Sequence, residues 1–393
     1  MIYNFDKIVD RHGSGSIKFD GLLPRYGRDD LTPLWVADMD FEVCPEITES
    51  LQQRLKHRIY GYACAPDSYW QSIIDWSRNM HGFVFTREEL TYMPGVVKGL
   101  GFAINYFTRE GDKVVIQEPV YHPFRLVPEG NKRQVVNNGL VEDANGKYSM
   151  NLDELETIFR IEHPRMMILS NPHNPIGIAW DVEVLKEVAA LAKRHGVIVV
   201  SDEIHGDLTI FNHEHHPFAS VSADAAEVSI TFSAPSKTFN IPGIVSSWCV
   251  IKNPELRHGF FSWLDANEFD DAPFVSTVVT EAAYKCGSEW LDQAKSYIER
   301  NIVAIEEYCA EQLPCIKPVR PEASFLVWLD CRALGLGHDE LVDLFVNRAG
   351  LALNDGEMFG HGGAGHMRLN VASPRSVLID AMERLRQAIE GMA

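Results

Sequence analysis

Three polar residues, each set just beyond an apolar run, could carry the chemistry of this chain. Ser233-Ala-Pro-Ser-Lys237-Thr-Phe-Asn240-Ile-Pro-Gly243 follows the strand-like run 228–232 and delivers an amine, with hydroxyls beside it, to the lip of a sheet. Asp202 lies in Ser201-Asp202-Glu203-Ile-His205 after the run 197–200, and Asn174 in Asn171-Pro-His-Asn174-Pro-Ile-Gly177 after 166–170. Alone, a lysine at a sheet edge is usually a solvated charge. An amine, a carboxylate and a carboxamide at the carboxyl ends of parallel strands can converge, because those ends face the crevice where open α/β sheets bind ligands.

The elements that must position them follow from periodicity. Asp181 caps a helix through Leu185, Val188 and Leu191 that stops at Gly196, so 166–200 reads as strand, helix, strand, with a right-handed crossover. A turn at Thr91-Tyr-Met-Pro-Gly95 leads into a helix whose first amides, at Gly95, Val96 and Val97, make an anion site. The strand 113–117 runs into Glu118-Pro-Val-Tyr121-His-Pro-Phe124, where Tyr121 can stack on a flat ring or simply stiffen a proline-punctuated loop.

Helical spacing recurs at Ile47, Leu51 and Leu55, again at Tyr69, Ile73, Ile74 and Trp76, and near 152–159. Further strands are expected at 244–251 and 325–329, and a helical stretch at 265–284 continuing towards Trp290. Residues 1–45 read as an arm ending in Leu34-Trp-Val-Ala-Asp38-Met-Asp40-Phe, which either lines a pocket or packs as a strand with capping carboxylates. Gly356 to Gly365 reads as a flexible loop, with His361 and His366 at the surface.

Composition narrows the function classes. The chain has 393 residues, 46% hydrophobic and 23% charged, which suits a soluble globular protein of two domains. A net charge of −19 with no clustered Lys and Arg excludes an electrostatic footprint for nucleic acid or an anionic membrane. The start lacks a secretory pattern, no stretch has the length of a membrane span, and seven cysteines without C-x-x-C spacing fit a reducing cytoplasm. Neither G-x-G-x-x-G nor G-x-x-x-x-G-K-[ST] occurs, and Pro217 prevents His213-Glu-His-His216 from completing H-E-x-x-H, so no metal is expected.

A lysine amine beside hydroxyls, a carboxylate, an asparagine, a stacking aromatic and an anion-binding helix end are what pyridoxal 5′-phosphate requires. Lys237 is then the Schiff-base lysine and Asp202 the partner of the pyridine nitrogen. Asn174 is the donor to the phenolate oxygen, and Ser233, Ser236 and the Gly95 turn are the phosphate cradle. In order and spacing, NPHNPIG, SDEIHGDL and SAPSKTFNIPG resemble fold-type I pyridoxal-phosphate enzymes of the class I/II aminotransferase superfamily. LWVADMDF, YGY followed by PDSYW, PVYHPF and DEIHGDL are similar to its cystathionine β-lyase-like branch of C–S lyases, related to the maltose-regulon modulator. His205 matches that branch where aminotransferases proper typically carry tyrosine, and Ile244 and Val245 stand where an arginine is often found.

The resemblance implies a large domain, 46–284, with a central mostly parallel sheet, and a smaller α/β domain built from both chain ends, 1–45 and 285–393. It implies a homodimer with Tyr62 contributed across the interface. It makes Arg368 the ligand of the substrate α-carboxylate, with Val36, Ala37 and Asn174 beside the substrate and Tyr121 and His205 beside the cofactor. The expected activity is α,β-elimination from L-cystathionine or a related cysteine S-conjugate, giving thiol, pyruvate and ammonia. Transamination of an L-amino acid is the competing enzyme reading, and a fold retained to modulate a transcription factor the non-catalytic one. No second arginine for a substrate side-chain carboxylate is identifiable from the sequence.

Overall fold

The computed structural model describes residues 1–392. Seven strands form a central sheet: β1 (Leu90–Met93), β2 (Lys113–Ile116), β3 (Gln134–Asn137), β4 (Met166–Ser170), β5 (Ile198–Asp202), β6 (Ser229–Ser233) and β7 (Ser247–Val250). Their order is β1-β7-β6-β5-β4-β2-β3, and β7 alone runs antiparallel to its neighbours. Side chains alternate across a strand, so each strand feeds two cores. Met166, Ile168, Val200, Ile230 and Phe232 face Leu100, Ile104 and Phe260. Met167, Leu169 and Val199 face Phe159, Leu185 and Val188 on the other side. Helices on both faces explain why β4 is buried throughout and apolar up to its last residue, Ser170, rather than alternating with polar residues.

The crossover helix Val182–His195 begins where the Asp181 carboxylate accepts from the Glu183 amide, and ends at left-handed Gly196. Helix Val96–Phe107 approaches the sheet most closely at Gly99, where a Cβ would lie 2.8 Å from Phe232 and 2.9 Å from Met93. A side chain there would have to displace the core, at a cost of about 1–3 kcal/mol.

The chain ends share a second sheet region: β8 (Lys317–Val319), β9 (Leu326–Asp330), β10 (Asn354–Asp355) and β11 (His366–Asn370), antiparallel in the order β8-β9-β11-β10. Thr32–Pro33 pairs in parallel with Leu351–Ala352, and the amide of Asn370 donates to the carbonyl of Leu34. The arm is thereby tied to residues more than three hundred positions away.

Several expectations are corrected. The residues before Gly95 form strand β1, not a plain turn. The stretch 265–284 is not one helix: Pro254–Ala266 ends just inside it, residues 267–273 break it, and Phe274–Cys286 resumes behind Pro273. Gly287 then separates Phe274–Cys286 from the 25-residue helix Ser288–Gln312. The glycine loop is a packed turn in which Gly356 leaves no room for a Cβ against the carbonyl of Gly363. His366 is buried and stacks on Trp328, with ring centroids 5.1 Å apart, because it is the first residue of β11.

Candidate active site

Register brings the three strand ends level: Ser170 pairs with Asp202, and Asp202 with Phe232. Just beyond that row lies a cavity of about 310 Å³ lined by Asn174, Asp202, His205, Ser236, Lys237, Tyr121 and the Gly95–Val97 turn. The expected amine, carboxylate and carboxamide therefore meet.

Lys237 sits on the short helix Pro235–Thr238, anchored by the Thr238 hydroxyl, which donates to Asp207 at 2.7 Å. Asp207 also accepts from the Trp76 indole and from the His81 ring. The Lys237 amine donates to the carbonyl of Ala37 at 2.6 Å. Burial lowers its pKa to about 8, opposed by the charges of Asp38 and Asp202 and assisted by that of Arg368. It is thus poised near neutrality to act as a nucleophile and base.

Asp202 is held by the Ile204 amide at 3.1 Å. Burial raises its pKa to about 7, a cost that a cationic N–H partner in the cavity would remove. His205 is pushed down to about 3, by burial first and then by Lys237 and Arg368, and its Nδ1 has no partner. Gly95 has φ 112°, opens helix Val96–Phe107, and has nothing within 4 Å of a built Cβ. A carboxylate awaiting a cation, an amine, and an open cradle of amides are a donor set that fits pyridoxal 5′-phosphate.

Arg368, on β11, is buried without any carboxylate. Its guanidinium donates to the Asn174 side-chain oxygen at 3.0 Å, to Asn354 at 2.8 Å and to the Trp35 carbonyl at 3.1 Å, and its Nε has no partner. Burial brings its pKa down to about 10. Arg368 lines neither of the two cavities around Lys237 and reaches the first only through its bond to Asn174, with its charge held by neutral acceptors alone.

The arm is fixed by two side-chain amides that sequence reasoning left without a role. Asn370 donates to the carbonyls of Val36 and Asp38, and Asn240 donates to those of Met39 and Phe41 while accepting from the Met39 amide. Asp38 and Asp40 are capped by Arg11 at 2.6 and 2.8 Å and by buried Lys18. No local signal marks Asn240 or Asn370, because their partners lie about two hundred and three hundred residues away.

Not every expected residue joins the cavity. Ser233 does not line it: as the last residue of β6 its hydroxyl donates to the Glu203 carbonyl at 3.1 Å. Ser246 and Ser247 line it along with Ser236, and Ile244 and Val245 form an apolar wall. Val36 lies in an adjoining cavity that meets the first at Ala37 and Lys237. Tyr62 is fully exposed on this chain and touches neither cavity. His215 is buried against Glu203 at 3.1 Å, and among the described residues no His, Cys, Asp and Glu group could hold a metal ion.

Against known proteins, the chain is 40% identical over 386 residues to cystathionine β-lyase PatB of Bacillus subtilis, covering 98% of this chain and 100% of that protein. The structure of cystalysin from Treponema denticola, which contains pyridoxal 5′-phosphate, superposes with a TM-score of 0.96 at 31% identity, covering 100% of both chains. A pyridoxal-phosphate-bound C–S lyase from Staphylococcus hominis gives 0.92 at 30% identity, covering 99% of this chain and 98% of that one. The sequence signature described as aminotransferase class I and II matches residues 29–385. By that match and by these strand ends, the chain belongs to the class I and II aminotransferase family.

Proposed function

We propose that the protein is a pyridoxal 5′-phosphate-dependent C–S lyase of the cystathionine β-lyase type, acting on L-cystathionine or a related cysteine S-conjugate. The observation that carries this is the buried Lys237 amine, which donates to the Ala37 carbonyl and shares its cavity with Asp202 and Asn174, in a chain 40% identical to a cystathionine β-lyase. When bound, the cofactor supplies an electron sink for the pair released at the substrate Cα.

The chain's own groups do the rest. Lys237, Asp202, Asn174, Tyr121, Ser236 and the Gly95–Val97 turn hold the cofactor, and His205, kept neutral by burial, lies beside them. Arg368 binds the α-carboxylate, which orients the Cα proton towards Lys237 Nζ. Lys237 takes that proton, and its lowered pKa keeps a neutral amine available near pH 8.

The division into 46–284 and the paired ends 1–45 and 285–393 is supported by where these groups fall: cofactor ligands on the first, Arg368 and Ala37 on the second. A homodimer in which Tyr62 of one copy serves the other is supported by the exposure of Ile59 and Tyr62, two large side chains close together on one surface segment. A cytoplasmic location is supported by seven unpaired cysteines. No helix among the described residues is long and apolar enough to cross a membrane.

The test is product analysis. Holoenzyme given L-cystathionine without a 2-oxo acid should release thiol and pyruvate together. A strict requirement for a 2-oxo acid, with no pyruvate formed, would replace the lyase reading by transamination.

A further inference from the structure

The segment that supplies Asp202 carries a second buried carboxylate, Asp207, which the chemistry described so far does not use. Asp207 lies in the short turn Gly206–Leu208 and lines neither cavity around Lys237. Its carboxylate accepts from three side chains. One oxygen takes the Trp76 indole at 3.0 Å and the His81 ring at 2.7 Å, and the other takes the Thr238 hydroxyl at 2.7 Å. Burial works to raise its pKa, but the bonds from His81, Thr238 and Trp76 hold it below the usual carboxylate range, so it is ionised. A buried charge is tolerated only when its oxygens are paired, which makes the three donors a stiff bracket around it.

Thr238 ties that bracket to the lysine. Helix Pro235–Thr238 has four residues, a single turn too short to hold its own shape, so it must be fixed from outside. Consecutive residues do this on two sides: the Lys237 amine reaches the Ala37 carbonyl on the arm at 2.6 Å, and the Thr238 hydroxyl reaches Asp207. Thr238 is fully buried, so solvent cannot stand in for that acceptor. Trp76 and His81 both belong to the 15-residue helix Asp67–His81, which seats the bracket on a long element. The Trp76 ring also packs on Phe239, the residue after Thr238, with centroids 5.4 Å apart.

Asp202 and Asp207 leave the end of one strand for different destinations. Asp202 enters the cavity, whereas Asp207, outside it, meets the helix that carries Lys237. Asp202 is held by the Ile204 amide and Lys237 by the Ala37 carbonyl, not by each other. The separation of carboxylate and amine is therefore set by a short stretch of chain and the bond from Thr238 to Asp207. We infer that Asp207, acting through the Thr238 hydroxyl, is a positioning residue that sets Lys237 at its working distance from Asp202, with Trp76 and His81 bracing it. This inference rests on the assignment of Lys237 and Asp202 as groups that hold the cofactor. Misplacing a reacting group by about 1 Å costs on the order of 100-fold in rate, which gives one hydrogen bond outside the cavity leverage on the chemistry inside it.

The test compares Thr238→Val, which removes the hydroxyl at nearly constant shape, with Thr238→Ser, which keeps it. Cofactor-free protein is mixed with pyridoxal 5′-phosphate and the rate of capture is read from visible absorbance; the holoenzyme is then assayed with L-cystathionine and melted. Thr238→Val should slow capture about 10-fold and lower kcat about 10-fold with KM unchanged, and Thr238→Ser should restore both to within about 2-fold. Asp207→Asn, which leaves one acceptor oxygen for three donors, should slow capture by about 3-fold or more. Capture at the wild-type rate in Thr238→Val, with only the melting temperature lowered, would overturn the inference, as would Thr238→Ser as slow as Thr238→Val. If Thr238→Val does not fold, Asp207→Asn decides, and capture at the wild-type rate in that variant overturns the inference. Capture needs no substrate, so a wild type that takes up the cofactor without releasing thiol removes the lyase reading and leaves the comparison of capture rates standing.

Discussion

The two sides of the cavity are built by opposite means. On the cofactor side, Asn174, Asp202 and Lys237 follow consecutive parallel strands, and the sheet register alone sets them level. On the proposed substrate side, Trp35 and Arg368 come from the two ends of the chain and meet where the Trp35 carbonyl accepts from the guanidinium, on an arm that Asn370 and Asn240 lace down. The first side carries charge that burial works against; the second carries charge that long-range pairing must hold in place. Chemistry and positioning are therefore separable by mutation.

Lys237→Ala should break the cofactor side most completely, lowering thiol release by about 1,000-fold or more while leaving the fold intact. Asp202→Asn should lower it by about 100-fold and should also reveal the cost of the buried carboxylate. The folded-state pKa of Asp202 is raised from 3.8 to about 7, so its contribution to stability is present below pH 3.8 and lost as pH rises through 7. Cofactor-free Asp202→Asn should then be more stable than wild type by roughly 2–4 kcal/mol at pH 8, with the difference shrinking towards pH 5, as read by urea unfolding. Equal stability at pH 8 would mean that the carboxylate is not desolvated.

Arg368→Leu tests the other side. It should raise KM for the amino acid about 100-fold by removing the carboxylate ligand, while the visible absorbance of bound cofactor stays unchanged. Because Arg368 has no counter-ion to abandon, thermal unfolding should not show the loss that breaking a buried ion pair causes. A destabilised Arg368→Leu would show that its bonds to Asn354 and Trp35 also hold β10 and the arm together.

What was legible in the sequence follows the same division. Lys237, Asp202 and Asn174 were readable because each motif is a strand end followed by a turn, a local pattern that register converts into proximity. Ser233 misled because the same local pattern cannot say which way a strand's last side chain turns, and here it satisfies the Glu203 carbonyl. Asn240 and Asn370 were invisible, since their roles depend on contacts between distant parts of the chain. The false helix at 265–284 came from treating Pro273 as a residue inside a helix when it stands just before the start of one.

The smallest expected effect falls where the two sides touch, at the carbonyl of Ala37. Arg11 compensates Asp38 and Asp40, and after burial Asp38 has the largest influence on the Lys237 amine, raising its pKa. Arg11→Gln leaves those carboxylates with Lys18 alone, so the field at Lys237 becomes more negative and its pKa should rise above about 8. A raised pKa means that the neutral amine appears only at higher pH. The midpoint of the pH dependence for recombination of the cofactor-free protein with pyridoxal 5′-phosphate should move upward by roughly half a unit. If instead the midpoint stays fixed and the rate falls equally at every pH, Arg11 acts by holding the arm in position and not through charge.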